Sequence, residues 1–252
     1  MLTLERQTEI LEQLKIKKSM TVSALAKKLF VSEATIRRDL SEMEKLGLIH
    51  RAHGGAVIAE TQLGEVSMTV RKDRKQKEKQ VISNLLTSII KKPESIFLDA
   101  SSTAQFATKN LDFKYSTVVT TGINTAINLS KLEDVNVILL GGTVSYNSES
   151  VTGLMAVEQI KNFNFNTAII STCGVDNDFF STEKTLEQAL VKKEVLKRAK
   201  TKILLIDSSK FSTFGTHKVV SLDDYDYIVT DKMPSKEIIE YLSNSKTKIL
   251  HQ

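Results

Sequence analysis

TVSALAKKLFVSEATIRRDLSEMEKLGLIHRAHGG, residues 21–55, reads as two short helices joined by a tight turn and followed by a basic Gly-Gly hairpin. That is the layout of a winged helix-turn-helix. Thr21 or Ser23 is placed to cap the first helix, whose Val22, Leu25 and Leu29 fall on one side. Phe30 and Val31 interrupt the pattern, and Ser32 restarts it as a second N-cap. From there Ile36, Leu40 and Met43 recur at helical spacing as a core stripe, with Leu46 at its edge and Gly47 as the stop. At about 100° per residue, Ala34, Arg38, Ser41 and Lys45 point away from that stripe, and Arg37 lies on its flank.

Exposed arginines on a helix are commonly no more than a solvated face. Here the context argues otherwise. A preceding helix from Leu4 to about Leu14, apolar at Ile10, Leu11 and Leu14, completes a three-helix core. Residues 48–57 then supply a wing whose Arg51 can reach a phosphate or a minor groove. The candidate DNA-contacting set is therefore Ser32, Thr35, Arg37, Arg38, Ser41, Lys45, Arg51 and His53. His50 and His53 have no accompanying cysteine or carboxylate cluster and read as plain wing histidines, so no metal is expected.

The stretch VSEATIRRDLSEMEKLGLIHRAHGGA resembles the N-terminal domain of the DeoR family of bacterial repressors over its whole length. The resemblance implies a cytoplasmic regulator whose C-terminal domain binds a phosphorylated sugar or related metabolite. It also implies a homo-oligomer, a dimer or tetramer, pairing across a two-fold axis on an operator in double-stranded DNA.

Composition agrees with that reading. The 252 residues suffice for one small and one medium domain, and 41% apolar with 26% charged residues is ordinary for a globular chain. No apolar run approaches the roughly 18 residues that suggest a membrane span, and MLTLERQ brings charge at once, without a signal-peptide core. The lone Cys173 cannot form an internal disulfide, which fits a reducing cytosol. The net charge of +5 is uneven: +2 over residues 1–60, +5 over 61–92 and −2 over 93–252. The basic excess lies in the first third, where phosphates would be met. The divisions expected are a DNA-binding domain at 1–58, a basic linker at 59–78 that includes RKDRKQKEK, and an effector-sensing domain at 79–252.

From residue 79 a helix carries Val81, Ile82, Leu85, Leu86, Ile89 and Ile90, and Pro93 closes it. Beyond it, SIFLDA, STVVTT, VNVILLGG, TAIISTCG, KILLIDSSK and DYIVTD alternate with helical stretches. Continuous β-branched runs between amphipathic helices predict an α/β domain, a mostly parallel sheet covered on both faces. Ligands in such sheets sit beyond the carboxyl ends of the strands. The strand ends are rich in small and hydroxylated residues: Asp99, Ser101, Ser102 and Thr103; Thr121 and Gly122; Gly141 and Gly142; Gly174; Asp207 and Lys210. Ser101–Thr103 open a helix, where N–H groups, hydroxyls and the positive dipole end suit a phosphate, and Lys210 adds a neutralising charge. Serines there also serve simply as caps.

These segments resemble the DeoR sensor domain and the wider fold group of ribose-5-phosphate isomerase, sugar-phosphate deaminases and CoA transferases. The resemblance makes DASST the phosphate loop, Asp207–Lys210 the family's Asp-x-Ser-Lys element, and Glu187 and Lys192 the acidic and basic positions of the following helix. TTG at 120–122 replaces the commoner Thr-Asn-Ser, and Phe179-Phe180 stands where glycine is usual. The competing reading is a sugar-phosphate isomerase or deaminase with a DNA-binding head, since Asp99, Asp176, Glu187 and Asp207 are available for proton transfer. Against it, TCGVD offers Cys173 where resemblance to the isomerases would call for a carboxylate pair like their Asp-Gly-Ala-Asp. The expectation is a sensor without catalytic residues and without a cofactor.

Overall fold

The computed structural model describes residues 2–17, 19–46, 48–52, 54–58, 67–90 and 95–252. They fall into two units, 1–70 and 71–252. Gly47, His53 and Pro93, each given a role above, lie outside the described residues, as do 59–66 of the expected linker.

The first unit runs α1 (Thr3–Lys17), β1 (Ser19–Thr21), α2 (Val22–Leu29), α3 (Glu33–Lys45), β2 (Ile49–Ala52) and β3 (Gly55–Ile58). Thr21 Oγ1 accepts from Ala24 N at 3.2 Å, and Ser32 Oγ accepts from Thr35 N at 3.2 Å, so both helices start on their expected caps. Between them Phe30 takes a left-handed φ of 55° and returns its N–H to Ala26 O, which ends α2 and makes the turn. Ile10, Leu14, Leu25, Ile36, Leu40 and Met43 are fully buried together.

Two features depart from the sequence reading. The first helix extends to Lys17, and β1 adds a third strand to the wing, pairing Ser19 with Val57 in the order β1-β3-β2. The other is Asp39, a buried carboxylate on α3 gripped in two places by Arg6, at 2.5 Å from Nε and 3.0 Å from Nη2. This fork locks α3 against α1.

The second unit begins with α4 (Met68–Asp73), inside which the boundary between units falls, and α5 (Gln76–Ile89). Helical structure thus occupies much of 67–78, and the sensor's leading helix starts at Gln76 rather than Lys79, after Lys75 turns the chain with φ 58°. There follow β4 (Ser95–Leu98), α6 (Ser102–Ala107), β5 (Thr117–Thr120), α7 (Ile123–Leu129), β6 (Asn136–Leu139), β7 (Thr143–Ser145), β8 (Ser150–Thr152) and α8 (Leu154–Ile160). The remainder is β9 (Phe165–Ser171), β10 (Gly174–Val175), β11 (Phe180–Glu183), α9 (Leu186–Arg198), β12 (Ala199–Leu205), β13 (His217–Ser221), β14 (Tyr227–Val229), α10 (Lys236–Leu242) and β15 (Lys248–Leu250).

Seven strands form one sheet in the order β15-β14-β12-β9-β4-β5-β6, every pairing parallel. Alternate residues explain the continuous apolar runs. Ile96, Leu98, Ile169 and Val229 pack with α5 and α6 on one face, while Phe97, Ile170, Leu204 and Ile228 pack with α8, α9 and α10 on the other. From β4 the chain steps outward through β5 and β6, then returns to β9 on the opposite side of β4. The β4–β9 seam is therefore the switch point at which open α/β sheets gather their ligands. A hairpin of β7 and β8 and a small antiparallel sheet, β10-β11-β13, had no clear pattern in the sequence. No helix among the described residues is long and apolar enough to cross a membrane.

The Arg6–Asp39 fork generates a stability prediction. Asp39→Ala strands a buried guanidinium and is expected to cost about 3 kcal/mol or more, whereas Arg6→Met combined with Asp39→Leu recovers most of it. Urea unfolding followed by far-UV circular dichroism measures both, and a single-variant loss under about 1 kcal/mol contradicts the assignment.

Candidate functional site

The first unit presents α3. With Ile36, Leu40 and Met43 turned inward, Arg37, Arg38 and Lys45 are exposed and Ser41 is half-buried beside them. Ser32 and Thr35 stand at the N-terminal end, their hydroxyls 2.9 Å apart. Arg37 is held by Glu33 at 3.1 Å, an exposed pair of little energetic weight. No ion pair or hydrogen bond among the described residues engages the Arg38 side chain. Arg51 is exposed on β2, and its backbone N–H donates to Glu44 Oε1 at 2.8 Å, fixing the wing to α3.

In the second unit the polar groups converge where β4 and β9 end. Asp99 Oδ2 accepts from Ser171 N at 3.1 Å and lies 3.5 Å from Lys192 Nζ. Lys192 reaches in from α9, pairs with Glu183 Oε1 at 2.5 Å and donates to Ser171 O at 2.7 Å. Burial opposes the Lys192 ammonium, but Asp99 and Glu183 together outweigh it and hold its pKa above the ordinary range. Glu183 is pushed the opposite way from a usual ion-paired carboxylate: burial raises it, assisted by Asp99 and opposed by Lys192. Two carboxylates share one ammonium.

Lys210 completes the cluster from the loop after β12. Its ammonium donates to Thr172 O at 2.8 Å and Ser171 Oγ at 3.3 Å, and lies 3.9 Å from Asp207 Oδ2. Burial pulls Lys210 below its ordinary range, with Asp207 and Glu183 opposing. Asp207 also accepts from Ser209 Oγ, and Ser208 is anchored by its N–H to Asp231 Oδ1 at 2.6 Å. Lys210 is thus the cation here with the least complete compensation.

The structure brings Asp99, Lys192, Asp207 and Lys210 together around Ser171 and Thr172. Ser101, Ser102 and Thr103 follow Asp99 after Ala100, but Ser101 Oγ accepts from Ala104 N at 3.2 Å and so caps α6. Thr121 and Gly122 are buried at the neighbouring strand end, where Thr120 Oγ1 donates to Leu98 O at 2.6 Å and accepts from Gly122 N at 3.0 Å.

Four expected positions fall elsewhere. Glu187 is exposed on the first turn of α9, and the acid that meets Lys192 is Glu183 on β11. Gly141 is exposed and exchanges hydrogen bonds with the Gln159 amide, at 3.0 and 3.2 Å, and Gly142 beside it is also exposed. Gly174 is buried against Thr213, whose carbonyl occupies the space a Cβ would need, which is a packing reason for glycine. Ser171, Thr172, Glu183 and Asp231 were not anticipated. A cleft of about 670 Å³ lies at the opposite, N-terminal ends of β9 and β12, by Asn164, Glu194, Arg198 and Lys200, where Arg198 Nε pairs with Glu194 at 3.0 Å.

A recognition helix with a disengaged arginine, in a chain whose parallel sheet gathers charge at its switch point, defines a DNA-binding regulator with a sensor domain. Residues 6–62 match the family model of the DeoR-like helix-turn-helix domain, and 74–232 match the DeoR C terminal sensor domain. The chain belongs to the DeoR family of transcriptional regulators. It is 33% identical to the HTH-type transcriptional regulator YulB of Bacillus subtilis, over 99% of this chain and 96% of YulB. It is 32% identical to the regulator GolR of Listeria innocua, over 94% of each, and 29% identical to the B. subtilis repressor GlcR, over 98% and 95%. Among solved structures it is similar to the sorbitol operon regulator SorC of Klebsiella pneumoniae, with 11% identity, a TM-score of 0.39, and coverage of 88% and 94%.

Two measurements follow from the geometry. Lys192→Met leaves two buried carboxylates facing each other and is expected to cost about 3–5 kcal/mol. Because the folded-state pKa of Lys192 lies above its unfolded value, this contribution is fully present below the unfolded pKa and is lost only as pH rises through the folded one. In the variant, burial and Asp99 raise Glu183 without the opposing Lys192, so calorimetric scans of wild type and variant should separate less at pH 6 than at pH 9. Burial, then Glu183, pushes the Cys173 thiol up to about 11, so its alkylation by iodoacetamide at pH 7.5 should be much slower than that of glutathione.

Proposed function

We propose that this chain is a repressor of a sugar-utilisation operon, binding an operator through α3 and its wing. Its DNA affinity is set by a phosphorylated sugar held at the ends of β4, β9 and β12. The observation that carries the first half is Arg38, exposed and disengaged on a helix whose opposite face is fully buried. A guanidinium so placed forks onto guanine O6 and N7, while Arg37, Lys45 and Arg51 supply phosphate contacts. The chain acts in the cytoplasm as a dimer or tetramer, so that two α3 helices meet successive half-sites.

The effector assignment rests on Lys210, a partly compensated ammonium beside the hydroxyl of Ser171 and next in sequence to the exposed Ser209. A phosphate supplies the missing negative charge; an uncharged sugar does not. Sensing rather than catalysis is supported by the carboxylates' engagements. Asp99 holds Ser171 N and Lys192. Asp176 accepts the N–H groups of Asp178 and Phe180 and pairs with Lys218 at 3.3 Å. Neither is disposed to carry a proton to substrate.

The effector must favour one arrangement of the protein over another, because equal affinity shifts nothing. Arg38→Ala is expected to abolish selection of a specific duplex from a randomised pool while leaving the sensor's thermal transition unchanged. Retention of wild-type gel shifts contradicts the first half. Titration calorimetry with matched pairs of sugars and sugar phosphates should give heat only with the phosphate, lost in Lys210→Met and weakened in Ser102→Ala. Turnover of any sugar phosphate, seen by product analysis, would replace the sensor reading with an enzymatic one.

A further inference from the structure

Lys79 is a lysine in an unusual position. It belongs to α5, is 3% exposed, and its ammonium donates to the carbonyl oxygens of Arg71 and, at 3.3 Å, of Lys72. Those carbonyls belong to the last turn of α4, where a helix leaves its final C=O groups without intrahelical partners. Lys79 is therefore the side-chain cap of α4, the helix within which the DNA-binding unit gives way to the sensor.

The same turn is fastened to the strand-end loops. Lys72 Nζ lies 3.3 Å from Glu149 Oε2, to which Asn124 of α7 also donates, and Arg71 Nη2 donates to Asn147 O at 3.5 Å. The segment carrying Asn147 and Glu149 is joined in turn to the loop after β5, through Val151 N to Thr121 O at 2.8 Å and Ile123 N to Glu149 O at 3.1 Å.

The charge around Lys79 is mismatched. Burial, then repulsion from Lys210, draws its ammonium down to about 8; Asp207 opposes, Arg71 adds repulsion, and Asp73 opposes more weakly. Lys210 in turn is disfavoured by burial and feels Arg71. Lys210 and Arg71 thus both repel the Lys79 ammonium, and a weakly held proton sits on the group that caps α4.

We propose that Lys79 reads the occupancy of the Lys210 site: a phosphate group held by Lys210 cancels the repulsion on Lys79 and tightens its grip on the carbonyl end of α4. This rests on the effector reading above and adds to it the residue through which that site reaches α4. Lys79 acts through the α4 carbonyls and is a positioning residue, not a phosphate ligand.

The test uses the full chain and inorganic phosphate, with chloride at matched ionic strength as control. The lysine side-chain NMR signal of Lys79, assigned by its loss in Lys79→Arg, is titrated with pH. Phosphate should raise its midpoint from about 8 by about one pH unit or more, and slow amide exchange in residues 68–73 several-fold. Both responses should vanish in Lys210→Met. Lys79→Gln should exchange quickly in 68–73 with or without phosphate, yet bind phosphate at least as tightly as wild type, since one repelling charge is gone. If phosphate gives a calorimetric heat that Lys210→Met abolishes but the Lys79 midpoint stays fixed, the relay is wrong and the effector site stands. Loss of phosphate binding in Lys79→Gln overturns the relay too, by making Lys79 a ligand. If wild type shows no phosphate heat at all, the strand-end anion site is itself wrong and the relay falls with it.

Discussion

The sensor unit depends on one buried ammonium. Lys192 stands between Asp99 at the end of β4, Glu183 on β11 and the carbonyl of Ser171 at the end of β9. These belong to the parallel sheet, to the small antiparallel sheet and to α9, so a single side chain joins three layers. Charges are costly to remove from water, and a cluster of this kind persists only when each partner is satisfied. Asp99 is additionally satisfied by Ser171 N–H, which closes the β4–β9 seam across the switch point. The floor of the site is fixed by this arrangement before any ligand arrives.

That fixity separates the roles of two lysines that look alike in the sequence. Lys192 is enclosed by carboxylates and cannot be released to an anion without stranding them. Lys210 meets one carbonyl oxygen, a hydroxyl and one carboxylate at 3.9 Å, so its charge is shared among weak partners. Under the proposed effector reading, a phosphate at the strand ends gains from Lys210 while Lys192 keeps the site's shape. The basic position that family resemblance assigns to the α9 helix is engaged by buried carboxylates in this chain, which leaves Lys210 as the electrostatic partner in the proposed reading.

What the sequence disclosed followed the range of the physics involved. The Thr21 and Ser32 caps, the Ile36–Leu40–Met43 stripe and the central strands are local or periodic, and each stands where its residues put it. The pair Arg6–Asp39 spans 33 positions and looks in sequence like two solvated charges. Glu183 and Glu187 lie nine and five residues before Lys192, and only the tertiary placement of β11 decides that Glu183 faces it. The Phe179 departure has a legible physical content after the fact. Its φ of 62° is one that glycine adopts freely, and this chain offsets the cost with a ring stacked on Tyr241 at 4.3 Å.

Coupling between a ligand site and a DNA-binding helix requires an element that is nearly balanced. An effector typically supplies about 1–3 kcal/mol of coupling, too little to break a buried fork such as Arg6–Asp39 or the Lys192 cluster. A switch built on either would be locked. The cap on α4 is different in kind: a lysine short of counter-charge, holding carbonyl groups instead of carboxylates, within reach of a site where an anion adds two negative charges. A change of that size moves a marginal cap and leaves the strong bridges intact. The rigid clusters thereby define what stays still, and in the proposed relay Lys79 is the cation positioned to respond.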